Sequence, residues 1–241
     1  MLDLKGYGPS ILQGALLTLQ VALLALAIAV ALGMVGALAK LSGSRIARGL
    51  ASLYTTVVRG VPELVLMLLV FFGGQVLINR LGDLLNELAA RHGLEDRIYI
   101  DYIDVDPFLS GVLTIGFIYG AYLTETFRGA ILAVPAGQLE AGRAYGMSRL
   151  QVLQRILLPQ MVRHAIPGFG NNWLVLLKAT ALVSVIGLDD MVRKAALAAG
   201  ATRLPFTFYL VVALGFLAFT TVSVLILRWA EQRYSVGIRR V

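Results

Sequence analysis

The chain has 241 residues, of which 58% are hydrophobic and 15% charged, with a mean hydropathy of +0.80. That leaves too little polar surface to cover a soluble globule, so a soluble enzyme is the least compatible class and a multi-span membrane protein is expected. The net charge of +7 does not point to nucleic acid, because the cations are scattered along the loops with no basic block interleaved with stacking aromatics, and zero cysteines exclude disulfides and thiolate metal sites.

Nothing between Lys5 and Lys40 is ionised. A helix over that run would be about 50 Å long against a hydrocarbon core of roughly 30 Å, so the first span is expected to tilt or to reach into the interface. The run is too long for the apolar core of a cleavable signal, and Asp3 weakens a basic start, so this span is expected to stay in the mature chain. Gly33 and Gly36, with Ala29 and Ala37, would permit close helix packing. Further apolar runs cover residues 64–79, 107–124, 165–188 (interrupted by Lys178) and 204–227, which makes five spans. Pro62 suits the first turn of the second span, where Glu63 would face the positive helix end.

Between spans two and three, Leu81, Leu84, Leu85 and Leu88 recur at helical spacing, and residues 99–106 alternate apolar and acidic. A short surface helix followed by a loop is expected there. After span three, Pro135 and Gly137 break the helix and residues 138–145 can form a short one. Gly146 and Ser148 supply a turn, Ser148 caps a second helix from Arg149 toward Leu158, and Pro159 marks its end or a kink. Residues 189–203 read as a loop between spans four and five. Lys40, Arg45, Arg48, Arg59, Arg128, Arg143, Arg149, Arg155, Arg163, Arg228, Arg233, Arg239 and Arg240 fall on one side, while cations on the other side are diluted by acids. Positive-inside logic puts the N-terminus outside and the segment around Glu140 in the cytoplasm.

Glu140-Ala141-Gly142, three residues, Gly146, nine residues, then Ile156-Leu157-Leu158-Pro159 resembles the EAA signature of binding-protein-dependent ABC importer permeases, with Gly142 where the family usually has Ala. The resemblance implies an all-α integral membrane protein with the type I importer transmembrane fold, five transmembrane helices and a cytoplasmic coupling-helix loop. It makes Glu140, Ala141, Gly142, Gly146, Ile156, Leu158 and Pro159, within the coupling segment 138–160, the contact with an ATPase. The runs Tyr54 to Glu63, Tyr119 to Gly129, Gly170 to Thr180 and Arg233 to Gly237 look like polar amino-acid permeases, nearest to the Q-type subunits of histidine/lysine/arginine/ornithine importers and similar to octopine, nopaline and arginine permeases.

What that implies is an inner-membrane assembly of this chain with a paralogous permease or a second copy of itself, two ATPase subunits and a periplasmic amino-acid-binding protein. The expected layout is a periplasmic segment 1–9, a permease domain 10–232 and a cytoplasmic tail 233–241. The chain has no G-x-x-x-x-G-K-[ST] phosphate loop, so it is expected to bind no cofactor, with ATP and Mg used by the partner ATPase. His92 and His164 show no metal-ligand spacing.

Lys178 and Glu125 are ionisable groups inside spans, which is costly and usually marks a bundle interior or a water-filled path. Two readings stand beside each other: Lys178 receives a substrate carboxylate with Asn171, Asn172, Thr180 or Ser184 nearby while Glu125 faces a cationic group, or Lys178 and Glu125 pair with each other or with the sister subunit and only hold helices together. Tyr119 and Tyr122 share a helix face. With Met67 they are further candidates for the path, the alternative for each being ordinary packing.

Overall fold

A computed structural model describes residues 4–92 and 99–234. The described residues are helical wherever they are regular, with no strand among them. Five of their helices are long and apolar enough to cross a membrane.

Helix α1 (Gly8–Leu41) and helix α4 (Pro107–Leu132) form the spine. They run side by side in one direction, with Gly116 set against Ile28 and the Ala25 carbonyl, Gly33 against Leu123, and Gly36 against Thr124. Lipid tails are as apolar as leucine, so membrane helices gain little from greasiness alone and associate through close packing of small residues. Ala22, Ala25, Ala29 and Ala37 of α1 are fully buried in the same seam. Ridges of larger side chains would hold the backbones apart.

Helix α7 (Leu158–Ala179), continued by a 3-10 segment (Thr180–Ile186), runs the other way along α4. Asn172 meets Thr126 near one end, and Val183 meets Gly111 near the other. Between Asp106 and Glu125 the bundle is about 30 Å deep at the helical rise, which matches a bilayer core. Gly8 marks one end of that layer and Lys40 the other.

Two helices cross the expected boundaries. Arg45–Gly60 (α2) turns back from the Lys40 end into the layer, where the Tyr54 hydroxyl donates to the Phe117 carbonyl. Its period explains the placement: Ile46, Leu50, Leu53 and Val57 form an exposed apolar stripe, and Arg45, Arg48, Ser52, Thr56 and Arg59 form a polar one. Ser44 caps it by accepting from the Ala47 amide. Helix α3 (Glu63–Arg91) then continues outward, so α2 and α3 act as one helix broken inside the layer. The break follows from Pro62, which lacks an amide hydrogen and forces Val61 into extended backbone (φ −108°, ψ 139°).

The separate surface helix expected over Leu81–Leu88 does not exist; those leucines lie on the last turns of α3. From Gln75 onward α3 stands beyond the start of α4, steadied by an extended strap. Asn79 exchanges two hydrogen bonds with the backbone of Ile103 (2.8 and 2.9 Å), and Asn86 does the same with Ile100 (2.8 and 2.9 Å). Gln75 accepts from the Val105 amide at 2.7 Å. These amides satisfy strap backbone that has no ladder partner.

The presumed loop 189–203 is also mostly helix, α8 (Met191–Thr202), capped by Asp190. It lies across the Gly8 end, where Thr18 accepts from the Met191 amide at 3.2 Å and Gly14 abuts the Asp190 backbone. Helix α9 (Pro205–Tyr234) closes the chain, and Ile11, Met191, Ala195, Ala198, Phe208 and Val212 make a second core there.

Candidate functional site

The segment between α4 and α7 protrudes at the Lys40 end. Helix α5 (Ala136–Ala144) ends at Tyr145, and Gly146 takes the left-handed conformation at φ +81°. The Gly146 amide donates to the Arg143 carbonyl (2.9 Å) and the Met147 amide to the Gly142 carbonyl (3.1 Å), which is a complete Schellman stop. Glycine carries this φ without the Cβ penalty. Ser148 then opens α6 (Arg149–Val152) with a full capping box, accepting from the Gln151 amide while Gln151 accepts from the Ser148 amide.

The two short helices are pressed together at Gly142. A Cβ there would sit 2.5 Å from Ile156 Cδ1 and 3.4 Å from Val152 Cγ2. Gln160 donates to Gln138 at 2.6 Å across the same junction. With its inner side spent on that contact, the pair turns Glu140, Ala141, Tyr145 (89% exposed) and Leu150 (60% exposed) outward. Pro159 neither ends nor breaks the second helix. The chain passes through a π turn (Leu153–Leu157), in which the Leu158 amide reaches back to the Leu153 carbonyl, and continues as α7. A wider turn relieves the clash between a proline ring and the carbonyl four residues back. Leu158 and Pro159 are exposed just after this turn and Ile156 is half-buried.

A polar belt runs through the layer. Glu125 is held by Lys40 and by Arg128 Nε (2.9 Å), and Lys40 also donates to Thr55 Oγ1 at 2.6 Å. Glu125 and Lys178 therefore do not pair; the partner of Glu125 lies 85 residues back, at the end of α1. Arg59 lies over the Tyr122 ring at 5.3 Å, a cation–π contact. Buried Tyr119 donates to Glu63 at 3.0 Å, and its ring lies 5.7 Å from that of Tyr122. A cavity of about 390 Å³ opens among Lys40, Thr55, Thr56, Arg59, Gly60, Tyr122 and Glu125. Glu63 is expected from the sequence at a helix end and Arg59 among the loop cations; the break in α2–α3 brings both beside the tyrosines.

Lys178 sits between the level of Asn172 and that of Val183, hence near mid-depth, and is exposed with no hydrogen bond or ion pair among the described residues. Asn171 shares its exposed face. The other expected neighbours are engaged elsewhere: Asn172 with Thr126 and the Gly168 carbonyl, buried Thr180 with the Leu177 carbonyl, and Ser184 with the Ala181 carbonyl. Met67 is 1% exposed and belongs to the main core. His92 contacts the Leu88 carbonyl at 2.8 Å, and no acid, histidine or cysteine group suited to a metal occurs among the described residues.

A five-span helical bundle with a capped helix pair protruding at one end and a polar belt in the half of the layer nearest that end defines a membrane transport component. Residues 29–236 match the family model described as binding-protein-dependent transport system inner membrane component, and the chain belongs to that family. It is 50% identical over 237 residues to the histidine/lysine/arginine/ornithine transport system permease protein HisQ of Salmonella typhimurium, covering 98% of each chain. It is 40% identical over 235 residues to the octopine transport system permease protein OccQ of Rhizobium radiobacter, covering 98% of this chain and 94% of that one. Among solved structures it resembles a crystal structure of an amino acid ABC transporter with histidines, at TM-score 0.76 and 30% identity over 94% of this chain and 95% of the other. The MetNI methionine transporter in an inward-facing form shares the fold, at TM-score 0.64 and 16% identity.

Proposed function

We propose that this chain is the permease half of an ATP-driven importer of polar, basic amino acids, with the Lys40 end in the cytoplasm and the N-terminus outside. The relatives named for histidine, lysine, arginine and ornithine and for octopine support the substrate class. The observation that carries the coupling role is the glycine-stopped, serine-capped helix pair, whose fixed shape presents Glu140, Ala141, Tyr145 and Gly146 outward beyond the membrane layer. A rigid knuckle with exposed aromatic and aliphatic groups is a docking element. Its partner is the ATPase, two copies per assembly, which supplies the ATP and Mg chemistry that this chain lacks.

Closure of the ATPases would push this knuckle, and α7 would transmit the motion because it continues from α6 through the π turn without a loop. The outer surfaces, the strapped end of α3 and the face of α8, would receive the loaded binding protein. A second permease, paralogue or copy, would cover the Lys178 face, since an unpaired ammonium at mid-depth is costly against lipid. There Lys178 with Asn171 would meet the substrate carboxylate. Glu125, already neutralised by Lys40 and Arg128, is a weaker partner for a cationic side chain than Glu63, whose only partner among the described residues is Tyr119.

Gly146→Asp tests the coupling role cleanly. A Cβ at Gly146 meets nothing within 4 Å, and the strain that φ +81° places on any side chain is smallest for asparagine and aspartate. The subunit should fold and assemble while ATP-driven uptake in proteoliposomes is lost; normal uptake would refute the coupling role. Lys178→Met should weaken uptake and substrate-stimulated ATP hydrolysis together, and unchanged kinetics would make Lys178 structural.

A further inference from the structure

At the Lys40 end the feet of α7 and α9 diverge around a pocket of about 370 Å³, lined by Leu158, Pro159, Val162, Arg163, Arg233 and Tyr234. Two guanidinium groups and, among the described residues, no carboxylate line it. The Nε of Arg163 is buried and has no hydrogen-bond partner among the described residues. A desolvated guanidinium N–H without an acceptor is expensive, and an anionic oxygen is the acceptor it matches best.

The depth of the pocket decides what anion can reach it. Gly170 of α7 packs on Leu227 of α9, near the level where Asn172 meets Thr126, the edge of the apolar layer. Arg163 lies nine residues before Asn172 and Arg233 six residues past Leu227, about 9 to 14 Å beyond that edge at the helical rise, a distance from which long arginine side chains reach back to the lipid headgroups. Leu158, Pro159 and Val162 form an apolar wall beside the cations. A phosphate with a hydrocarbon body attached satisfies both parts; a free anion satisfies one.

We propose that this pocket binds the phosphate of an anionic phospholipid from the leaflet at the Lys40 end, held between Arg163 and Arg233 with its glycerol and upper chain against Leu158, Pro159 and Val162. Basic pockets between membrane helices are a general means of holding such headgroups. The site touches Leu158 and Pro159, the bend through which the knuckle joins α7, so an occupied pocket braces that joint. The location in the cytoplasmic leaflet, and the link to coupling, rest on the orientation proposed above; the binding chemistry does not.

The test uses the intact transporter complex, purified from nanodiscs containing either phosphatidylcholine alone or phosphatidylcholine with phosphatidylglycerol, with retained lipid counted by native mass spectrometry. Wild type should retain phosphatidylglycerol over phosphatidylcholine. Arg163→Gln/Arg233→Gln should reduce that retention about tenfold, the effect of losing a charge-assisted hydrogen bond, while Arg45→Gln/Arg48→Gln, which removes equal charge at the same end, should not. Retention that is lipid-blind in wild type, or lost equally in both double variants, overturns the site; the wild-type comparison stands even if a variant misfolds. Competition by glycerol 3-phosphate as well as by lipid would reassign the pocket to a soluble phosphate, and a cross-link from Arg163→Cys to the ATPase would reassign it to a protein carboxylate. Failure of the coupling reading would leave phosphatidylglycerol retention intact, so the two readings fail separately.

Discussion

Gly33→Ala is the sharpest probe of the α1–α4 spine. A Cβ at this position would lie 2.7 Å from Leu123 Cβ and 3.1 Å from the Leu123 carbonyl carbon. Carbon atoms rest at about 3.5–4.0 Å, so the helices must part by roughly 1 Å. Neither atom is the end of a flexible side chain, and Gly36, Gly116 and Gly120 lock the neighbouring turns, so the strain cannot be passed along the seam. Overpacking of this kind costs about 1–3 kcal/mol, against which alanine returns about 1 kcal/mol of helix propensity. The matched control is Gly49→Ala on α2, where a Cβ meets nothing within 4 Å and only the propensity gain remains. The two variants should therefore differ by about 2 kcal/mol, or roughly 5 °C in midpoint for a chain of this size. Thermal unfolding of the purified subunit in detergent reads the difference directly. If the two melt together, the spine is not held at backbone contact and the small-residue account fails.

Gly142→Ala should be tolerated, since the atom it meets is the flexible Cδ1 end of Ile156; a measured loss of uptake beyond about twofold would show that the knuckle has no slack. Lys40→Met should destabilise by about 1–3 kcal/mol because Glu125 keeps only Arg128, and adding Glu125→Gln should recover part of that loss in a double-mutant melting cycle. Burial raises the Asp190 carboxyl from 3.8 to about 6, and its Oδ2 has no hydrogen-bond partner among the described residues. The folded chain thus keeps a proton that the unfolded chain has lost between those values, so stability falls as pH rises from about 4 to about 6 and is flat above. Asp190→Asn keeps an N-cap acceptor and should remove that slope, gaining ~1–3 kcal/mol at pH 7; a pH series of melting curves checks it.

The spans were legible because lipid demands long uncharged runs, and the knuckle was legible because Gly146 and Ser148 are local signals whose geometry needs nothing distant. Residues 45–60 were missed for the opposite reason. Their arginines look like loop charge until the 3.6-residue alternation of Ile46, Leu50, Leu53 and Val57 is counted. Helix α8 carries an aspartate cap and an alanine-rich body, but it is too short to span and so read as a loop. The clamps by Gln75, Asn79 and Asn86, and the bond from Lys40 to Glu125, join residues far apart in the chain. Side-chain type gives no hint of such partners. Asp3, Glu95, Asp96, Arg97, Arg239 and Arg240 lie outside the described residues.

The central claim is that the helix pair around Gly146 seats in a cytoplasmic ATPase, and the chain's lack of cysteine makes one measurement direct. Tyr145→Cys, on the knuckle at a position 89% exposed, is placed in the intact complex and tested for cross-linking to single cysteines on the ATPase in membrane vesicles. The account predicts an ATPase cross-link whose yield changes when ATP is bound. Labelling of that cysteine by an impermeant maleimide from the periplasmic side, with no cross-link in any nucleotide state, would contradict it.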